Sequence, residues 1–300
     1  MKKLDLTVII LTYNEEVHIR RCLENVCPIA KKVYVIDSPS TDRTAEICGE
    51  FENVEVVVHK YPGNQAEQVN WALKNLSFDT KWILRLDADE YLSQELIDEI
   101  CEKLPSLPDD VSGVVLNRYH IFLEKLMKYG SPAKILRLFR TGKAVCEKRL
   151  MDEYMAVKEG RTIDFKNLFY DYNLKGIDDY CKKHLNYAVR QAFLELDEKY
   201  GLTEKEDTTT DIGSQMKGKR KQKALYSRMP LYLRSFLYFL YRYFFTGAFL
   251  GGKEAFTYTY IQAWWYRTMV DSILLDVRKC CGGDKEKIME CLKSKYGLRV

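Results

Sequence analysis

Four short runs of apolar, largely β-branched residues recur in the first ninety positions, and three of them end in polar or acidic side chains. Val8, Ile9, Ile10 and Leu11 run into Thr12, Tyr13 and Asn14. Residues 33–36 stop at Asp37, and Trp82, Ile83, Leu84, Arg85 and Leu86 stop at Asp87, Ala88, Asp89 and Glu90; residues 54–58 make the remaining run. Between the runs, apolar side chains recur at helical spacing: Ile19, Cys22, Leu23 and Val26, with Asn14 as the expected N-cap; Ala45 and Ile47; Val69, Ala72, Leu73 and Leu76; and Leu96, Ile97, Ile100 and Leu104 behind a Ser93 cap. Strands that are apolar throughout are buried on both faces. Alternating with amphipathic helices, they predict an α/β fold with a mostly parallel sheet covered on both sides. Such sheets bind ligands outside the carboxyl ends of their strands. Thr12, Asn14, Asp37, Asp87 and Asp89 all fall at strand ends, so they are expected on one rim.

Composition narrows the classes. At 300 residues and 46% hydrophobic, the chain can bury a core, and a disordered chain is excluded. Lys and Arg number 47 against 43 Asp and Glu, which is not the strongly basic balance of a nucleic-acid-binding domain, and no nucleic-acid partner is expected. Nine cysteines without a C-x-x-C pair predict thiols in a reducing compartment rather than a disulfide framework or zinc ribbon. Met1 to Asp5 shows no signal-peptide pattern, which places the expected location on the cytosolic side.

Further strands are expected at 114–116 and 135–140, with a loop or short helix at 122–130 and a long helix over 177–200. The domain organisation read from this is a catalytic domain at 1–200, a polar basic linker at 201–228 that includes the run 217–223, and an aromatic-rich helical region at 229–300. Residues 230–252 are rich in Leu, Phe and Tyr, but Arg234 and Arg242 interrupt them, and a clean membrane span wants about 20 predominantly apolar residues. Aromatics mixed with arginine behind a basic run suit helices lying on an anionic membrane surface. A packed helical hairpin and a true span are the alternatives.

Asp87 and Asp89, one residue apart after a buried strand, can present oxygens to one hard divalent cation, whose remaining ligands are usually water and substrate phosphate. Such a cation neutralises charge on a departing nucleoside diphosphate. Alone, the pair is also what a solvated acidic turn looks like; the other strand ends favour a site. No glycine-rich phosphate loop and no nucleophile elbow occurs, and His18, His59, His120 and His184 show no ligand spacing.

Three segments together resemble the signatures of family 2 glycosyltransferases with the GT-A fold, a Rossmann-like nucleotide-diphospho-sugar transferase architecture. They are Thr12-Tyr13-Asn14-Glu15-Glu16; Val35-Ile36-Asp37 with Ser40-Thr41-Asp42-Arg43-Thr44; and Leu84-Arg85-Leu86-Asp87-Ala88-Asp89-Glu90. Residues 62–73 and the aromatic tail, with Trp264, Trp265, Tyr266 and Arg267, are similar to the branch that acts in bacterial capsule, exopolysaccharide and lipopolysaccharide-core assembly. The resemblance implies an inverting transferase that moves sugar from a nucleotide-sugar, UDP-linked in most cases, to a lipid-linked saccharide. Its expected place is peripheral, at the cytoplasmic face of the inner membrane.

The resemblance also implies roles. The loop Thr12, Asn14 and Glu15 lines the nucleotide, Asp37 holds the base, Arg85 and Asp87 approach ribose and diphosphate, and Asp89, with Asp87, holds Mg²⁺ or Mn²⁺. Gln68 and Asn70 are further candidates for the donor site. Lys143, Arg137 and Arg140 could meet a phosphate, with solvation at strand ends the equal alternative. The general base is expected after the acidic pair; relatives often carry His-Glu there, whereas this chain has Asp152-Glu153, so Glu153 is the first choice and Asp152 the second. Two rivals remain: a nucleotidyltransferase, which would want a glycine-rich basic loop where Thr12 to Glu16 stand, and a non-catalytic membrane-docked scaffold.

Overall fold

A computed structural model describes residues 3–130, 132–147, 154–203 and 226–298. Asp152 and Glu153, together with most of the expected linker, lie outside the described residues.

The contacts divide the chain into two compact units, Met1–Lys175 and Gly176–Val300. The first begins β1 (Leu4–Thr12), α1 (Ile19–Val26), β2 (Ala30–Asp37), α2 (Thr44–Cys48), β3 (Val54–Val58), α3 (Gln65–Asn75), β4 (Trp82–Asp87), β5 (Glu90–Leu92) and α4 (Gln94–Lys103). It continues with β6 (Val111–Phe122), β7 (Lys125–Leu126), β8 (Ala133–Arg140), β9 (Ala144–Cys146), β10 (Met155–Val157) and β11 (Arg161–Asp171). The main sheet runs β3-β2-β1-β4-β8-β6-β11-β5, with β7 on β6. The first four strands are parallel, as the sequence predicts. The other half is mixed: β8 is antiparallel to β4 and β6, β11 is parallel to β6, and β5 is antiparallel to β11.

Alternation along β1 explains both layers. Leu6, Val8 and Ile10 pack on Ile19 and Leu23 of α1 and on Leu96 and Ile100 of α4, while Ile9 joins Ile36, Ile83, Phe139 and the Ala66–Val69–Ala72 face of α3 on the other side. Ser93 caps α4 by accepting from Leu96 N at 3.1 Å, as expected. Asn14 does not cap α1; His18 stands at the N-cap, and Asn14 has a left-handed backbone at φ 54°. Residues 122–130 are not a helix: β6 reverses through Leu123 and Glu124, both at positive φ, into β7.

The second unit is helical: α5 (Ile177–Tyr200), α6 (Leu233–Leu240), α7 (Gly252–Thr259), α8 (Tyr266–Cys281) and α9 (Lys285–Tyr296), with wider π-type turns at Tyr241–Phe245 and Tyr260–Trp265. The long helix α5 belongs here, not with the sheet, so the boundary lies at Lys175 rather than at residue 200. The reason is a buried ion cluster. Arg234 of α6 reaches Glu195 of α5 at 2.9 Å and Asp271 of α8 at 2.5 Å, tying three helices together. Gly201 ends α5 in the left-handed conformation, at φ 62°, that glycine adopts without strain. Among the described residues no helix is long and apolar enough to cross a membrane.

Candidate active site

Strand register brings the nominated acids together. Thr12 lies opposite Asp37, and Leu11 opposite Asp87, so the ends of β1, β2 and β4 form one rim. Asp37 is buried there, and its carboxylate accepts from Thr12 Oγ1 at 2.7 Å, Ser40 N at 2.8 Å and Ser40 Oγ at 2.6 Å. A carboxylate offers about four acceptor positions, so one remains open.

The loop after β1 is knitted to the loop after β2. Asn14 N donates to Ser40 Oγ at 2.8 Å, and Asn14 Oδ1 accepts from Thr41 N at 2.8 Å. Glu15 N donates to Thr44 Oγ1, while the Glu15 carboxylate takes His18 Nδ1 at 2.5 Å and Lys175 Nζ at 2.9 Å. His18 Nε2 accepts from Leu174 N at 2.7 Å, which puts the ring proton on Nδ1, facing Glu15. Burial raises the Glu15 carboxyl, but the hydrogen bonds from His18 and Lys175 outweigh it and hold the group below its ordinary value. Glu15 is thus a brace between the rim and the end of the unit. Asp42 accepts from Thr44 N and Thr44 Oγ1 and closes the turn before α2.

At the third strand end the acids are enclosed by arginines. Arg85 grips Asp87 with two nitrogens, at 2.8 and 3.2 Å, and Arg137 reaches Asp87 at 3.0 Å. Arg137 also meets Glu90, which is fully buried, at 2.5 Å, and Arg118 meets it at 3.3 Å. Glu90 in addition accepts from Asp87 N at 2.9 Å, which fixes the acidic turn. Arg118 and His120 continue the chain of charges to Asp171, at 3.5 and 3.3 Å. Complete burial and the neighbouring Asp87 push the Glu90 carboxyl upward, against the pull of Arg118 and Arg85. Asp89 is half-buried, and its carbonyl accepts from Tyr172 N and Arg21.

Other nominated residues are placed differently. Gln68 is buried and bonds Ser38 Oγ, His59 O and the His59 ring, fastening α3 to the end of β2. Asn70 pairs with both backbone groups of Cys146, at 2.8 and 2.9 Å, and so holds α3 on β9. Gln65, which the sequence did not single out, and Val69 are the α3 residues that line a small pocket with Arg85 and Arg137. Arg137 lies inside the acid cluster, bonded to Asp87 and Glu90. Arg140 donates to the carbonyls of Val111, Leu107 and Pro108 over the Trp82 ring, and Lys143 pairs with Glu159. Glu90, Arg118 and Lys175 escaped notice because each acts through a partner distant in the chain; Glu90, beside the acidic pair, was the one with a local signal.

No three His, Cys, Asp or Glu side chains converge as a metal cluster among the described residues. Asp89, half-buried, is the second carboxylate of this turn, while Asp87 is held by two guanidiniums. One or two carboxylates suit Mg²⁺ or Mn²⁺ when diphosphate and water complete the shell, so the residues present fit such an ion.

The fold is an α/β domain whose strand ends at β1, β2 and β4 form the rim where such sheets bind ligands. Residues 7–152, just under half of the chain, match the sequence family Glycosyl transferase family 2. An uncharacterized glycosyltransferase of Rickettsia bellii is 41% identical over 97 residues, which is 32% of this chain and 31% of the relative. The lipopolysaccharide core biosynthesis glycosyltransferase LpsC of Rhizobium meliloti is 30% identical over 151 residues, 47% of this chain and 53% of LpsC. The chain thus spans about a third of the length of the rickettsial relatives and about half of LpsC. Staphylococcus aureus TarS (1–349) superposes with a TM-score of 0.38 at 16% identity, over 97% of this chain and 91% of TarS.

Proposed function

We propose that the first unit is an inverting glycosyltransferase that takes a nucleotide-sugar, a UDP-sugar first among them, and transfers the sugar to a lipid-linked saccharide at the cytoplasmic face of the inner membrane. The observation that carries this reading is the convergence of Thr12, Asp37 and the Asp87–Asp89 turn on one rim within a family 2 domain. The open acceptor position of Asp37 suits an N–H on the edge of the base. Arg85, anchored on Asp87 at the end of β4, is the guanidinium assigned to the diphosphate. Asp89, with Asp87 second, would hold Mg²⁺ or Mn²⁺, which would supply positive charge against a leaving diphosphate. The acceptor oxygen attacks the anomeric carbon, the bond to the diphosphate oxygen breaks, and the hydroxyl proton passes to Glu153 or Asp152. The name of LpsC supports a lipid-linked saccharide as acceptor.

The test is release of nucleoside diphosphate from a panel of UDP- and GDP-sugars, with Mn²⁺ and with EDTA. One donor class should support release in Mn²⁺ and none in EDTA. Pyrophosphate release from a nucleoside triphosphate and a sugar phosphate would point to a nucleotidyltransferase instead. Complete inactivity on both panels would favour the non-catalytic scaffold.

A further inference from the structure

The second unit carries an uncovered aromatic surface. Phe245 is 83% and Leu250 71% exposed, and Phe236, Phe244, Phe256 and Tyr260 are exposed as well. Six of its rings touch in one chain, ending at Phe244 next to Phe245 in sequence. Phe236 meets Trp264 at 5.3 Å, Trp264 meets Tyr260 at 5.8 Å, Tyr260 meets Phe256 at 6.2 Å, Phe256 meets Tyr243 at 5.6 Å, and Tyr243 meets Phe244 at 5.1 Å. Contiguous apolar patches of this kind mark a binding surface.

Two arginines adjoin its segments in sequence, Arg242 before Tyr243 and Phe244 and Arg267 after Trp264, and neither is paired with an acid among the described residues. Arg242, between exposed Tyr241 and Phe244 in sequence, lies 5.9 Å from the Tyr238 ring and donates to the Tyr238 hydroxyl at 3.2 Å. Arg267 lies 5.8 Å from the same ring, 5.6 Å from Tyr226 and 5.1 Å from Tyr266. Among the described residues neither guanidinium has a carboxylate in ion-pair range, whereas Arg85, Arg137 and Arg234 all do. The two nearby buried acids, Glu195 and Asp271, are both committed to Arg234. Rings stabilise a partly desolvated cation but leave its charge uncancelled and its N–H fork open to an anion.

We propose that this aromatic face docks on a lipid bilayer and that Arg242 and Arg267 take the phosphate of an anionic lipid headgroup. Aromatic side chains with one polar end suit the boundary between acyl chains and water, and guanidinium forks match phosphate oxygens. Sequence adds the basic run 217–223 just before the face. This names the membrane contact of the peripheral enzyme read above and rests on that reading only for its location.

The experiment is flotation of the full chain with vesicles of phosphatidylcholine alone or mixed with phosphatidylglycerol. Wild type should float with both and prefer the anionic vesicles. Phe245→Ser with Leu250→Ser, at exposed positions, should cut binding to both at least tenfold. Arg242→Gln with Arg267→Gln should reduce the anionic preference by about fivefold per arginine. Should that pair fail to fold, Arg242→Lys with Arg267→Lys keeps the charge without the fork and should bind at an intermediate level. Failure of wild type to float, flotation of the Phe245/Leu250 variant at the wild-type level, or an unchanged anionic preference in the arginine variants would overturn the proposal. So would concentration-dependent self-association in sedimentation that the Phe245/Leu250 variant abolishes, in place of vesicle binding. Donor cleavage in vesicle-free buffer is read in parallel, so that loss of docking and loss of the transferase reading are seen separately.

Discussion

Both units bury arginines among acids, and they do so to different ends. In the second unit Arg234 is enclosed by Glu195 and Asp271, which lie on two other helices. The cluster is sealed and sets which helices pack together. In the first unit Arg85, Arg118 and Arg137 interleave with Asp87, Glu90 and Asp171, and the chain of charges runs outward from buried Glu90 to half-buried Asp87 beside the rim. Sealed pairs specify a fold. Graded ones hold a carboxylate in a chosen orientation where a ligand arrives. A buried charge is strongly destabilising when its partner is removed, which makes the comparison measurable.

The largest effect is expected at the sealed cluster. Arg234→Met should destabilise by about 3–5 kcal/mol in urea unfolding, because Glu195 and Asp271 are left without a cation. Replacing all three by apolar residues of similar volume should recover most of the loss; a small effect of the single change would break the contrast. Next, Asp89→Asn should lower metal-dependent donor cleavage about 100- to 1,000-fold, or about 3–4 kcal/mol, with the melting temperature unchanged. A fold that melts early in that variant would mean that Asp89 is structural. At the open cluster Arg137→Met should cost about 2 kcal/mol, less than Arg234→Met, since Arg118 still faces Glu90 and Arg85 still grips Asp87. Parity between the two would erase the distinction.

The smallest effect carries a pH signature. Glu15 is held below its ordinary value of 4.5, so its stabilisation is fully present above pH 4.5 and is lost as the pH falls through the lower, folded value. Glu15→Gln should therefore cost about 1–2 kcal/mol near neutrality, with the gap to wild type closing below pH 4.5. A gap independent of pH would show that the His18 and Lys175 contacts do not depend on the charge.

The parallel half of the sheet was legible because its strands are apolar on both faces and each helix between them carries its own period. Thr12, Asp37 and Asp87 could be placed on one rim because strand ends in such a sheet are a topological consequence of the pattern. What Asp37 and Glu15 touch was not legible, since Ser40, His18 and Lys175 reach them by folding. The sequence leaves a loop or a short helix open at 122–130, because neither Leu123 nor Glu124 is the Asn or Gly that usually marks positive φ. On sequence alone Gln68 and Asn70 are donor-site candidates on a helix face whose default is solvation. Their bonds to Ser38, His59 and Cys146 come from segments far along the chain, and no local period reveals them. The long helix α5 was assigned to the sheet domain by proximity in sequence, because the ion cluster that holds it to α6 and α8 spans residues 195–271.

The most direct test is calorimetric titration of UDP into the full chain, in Mn²⁺ and in EDTA, for wild type and Asp89→Asn. If the strand-end carboxylates hold a nucleotide through a cation, wild type should bind in Mn²⁺ and at least tenfold more weakly in EDTA, and Asp89→Asn should bind weakly in both. Equal affinity across all four titrations, or no heat in any, would contradict it.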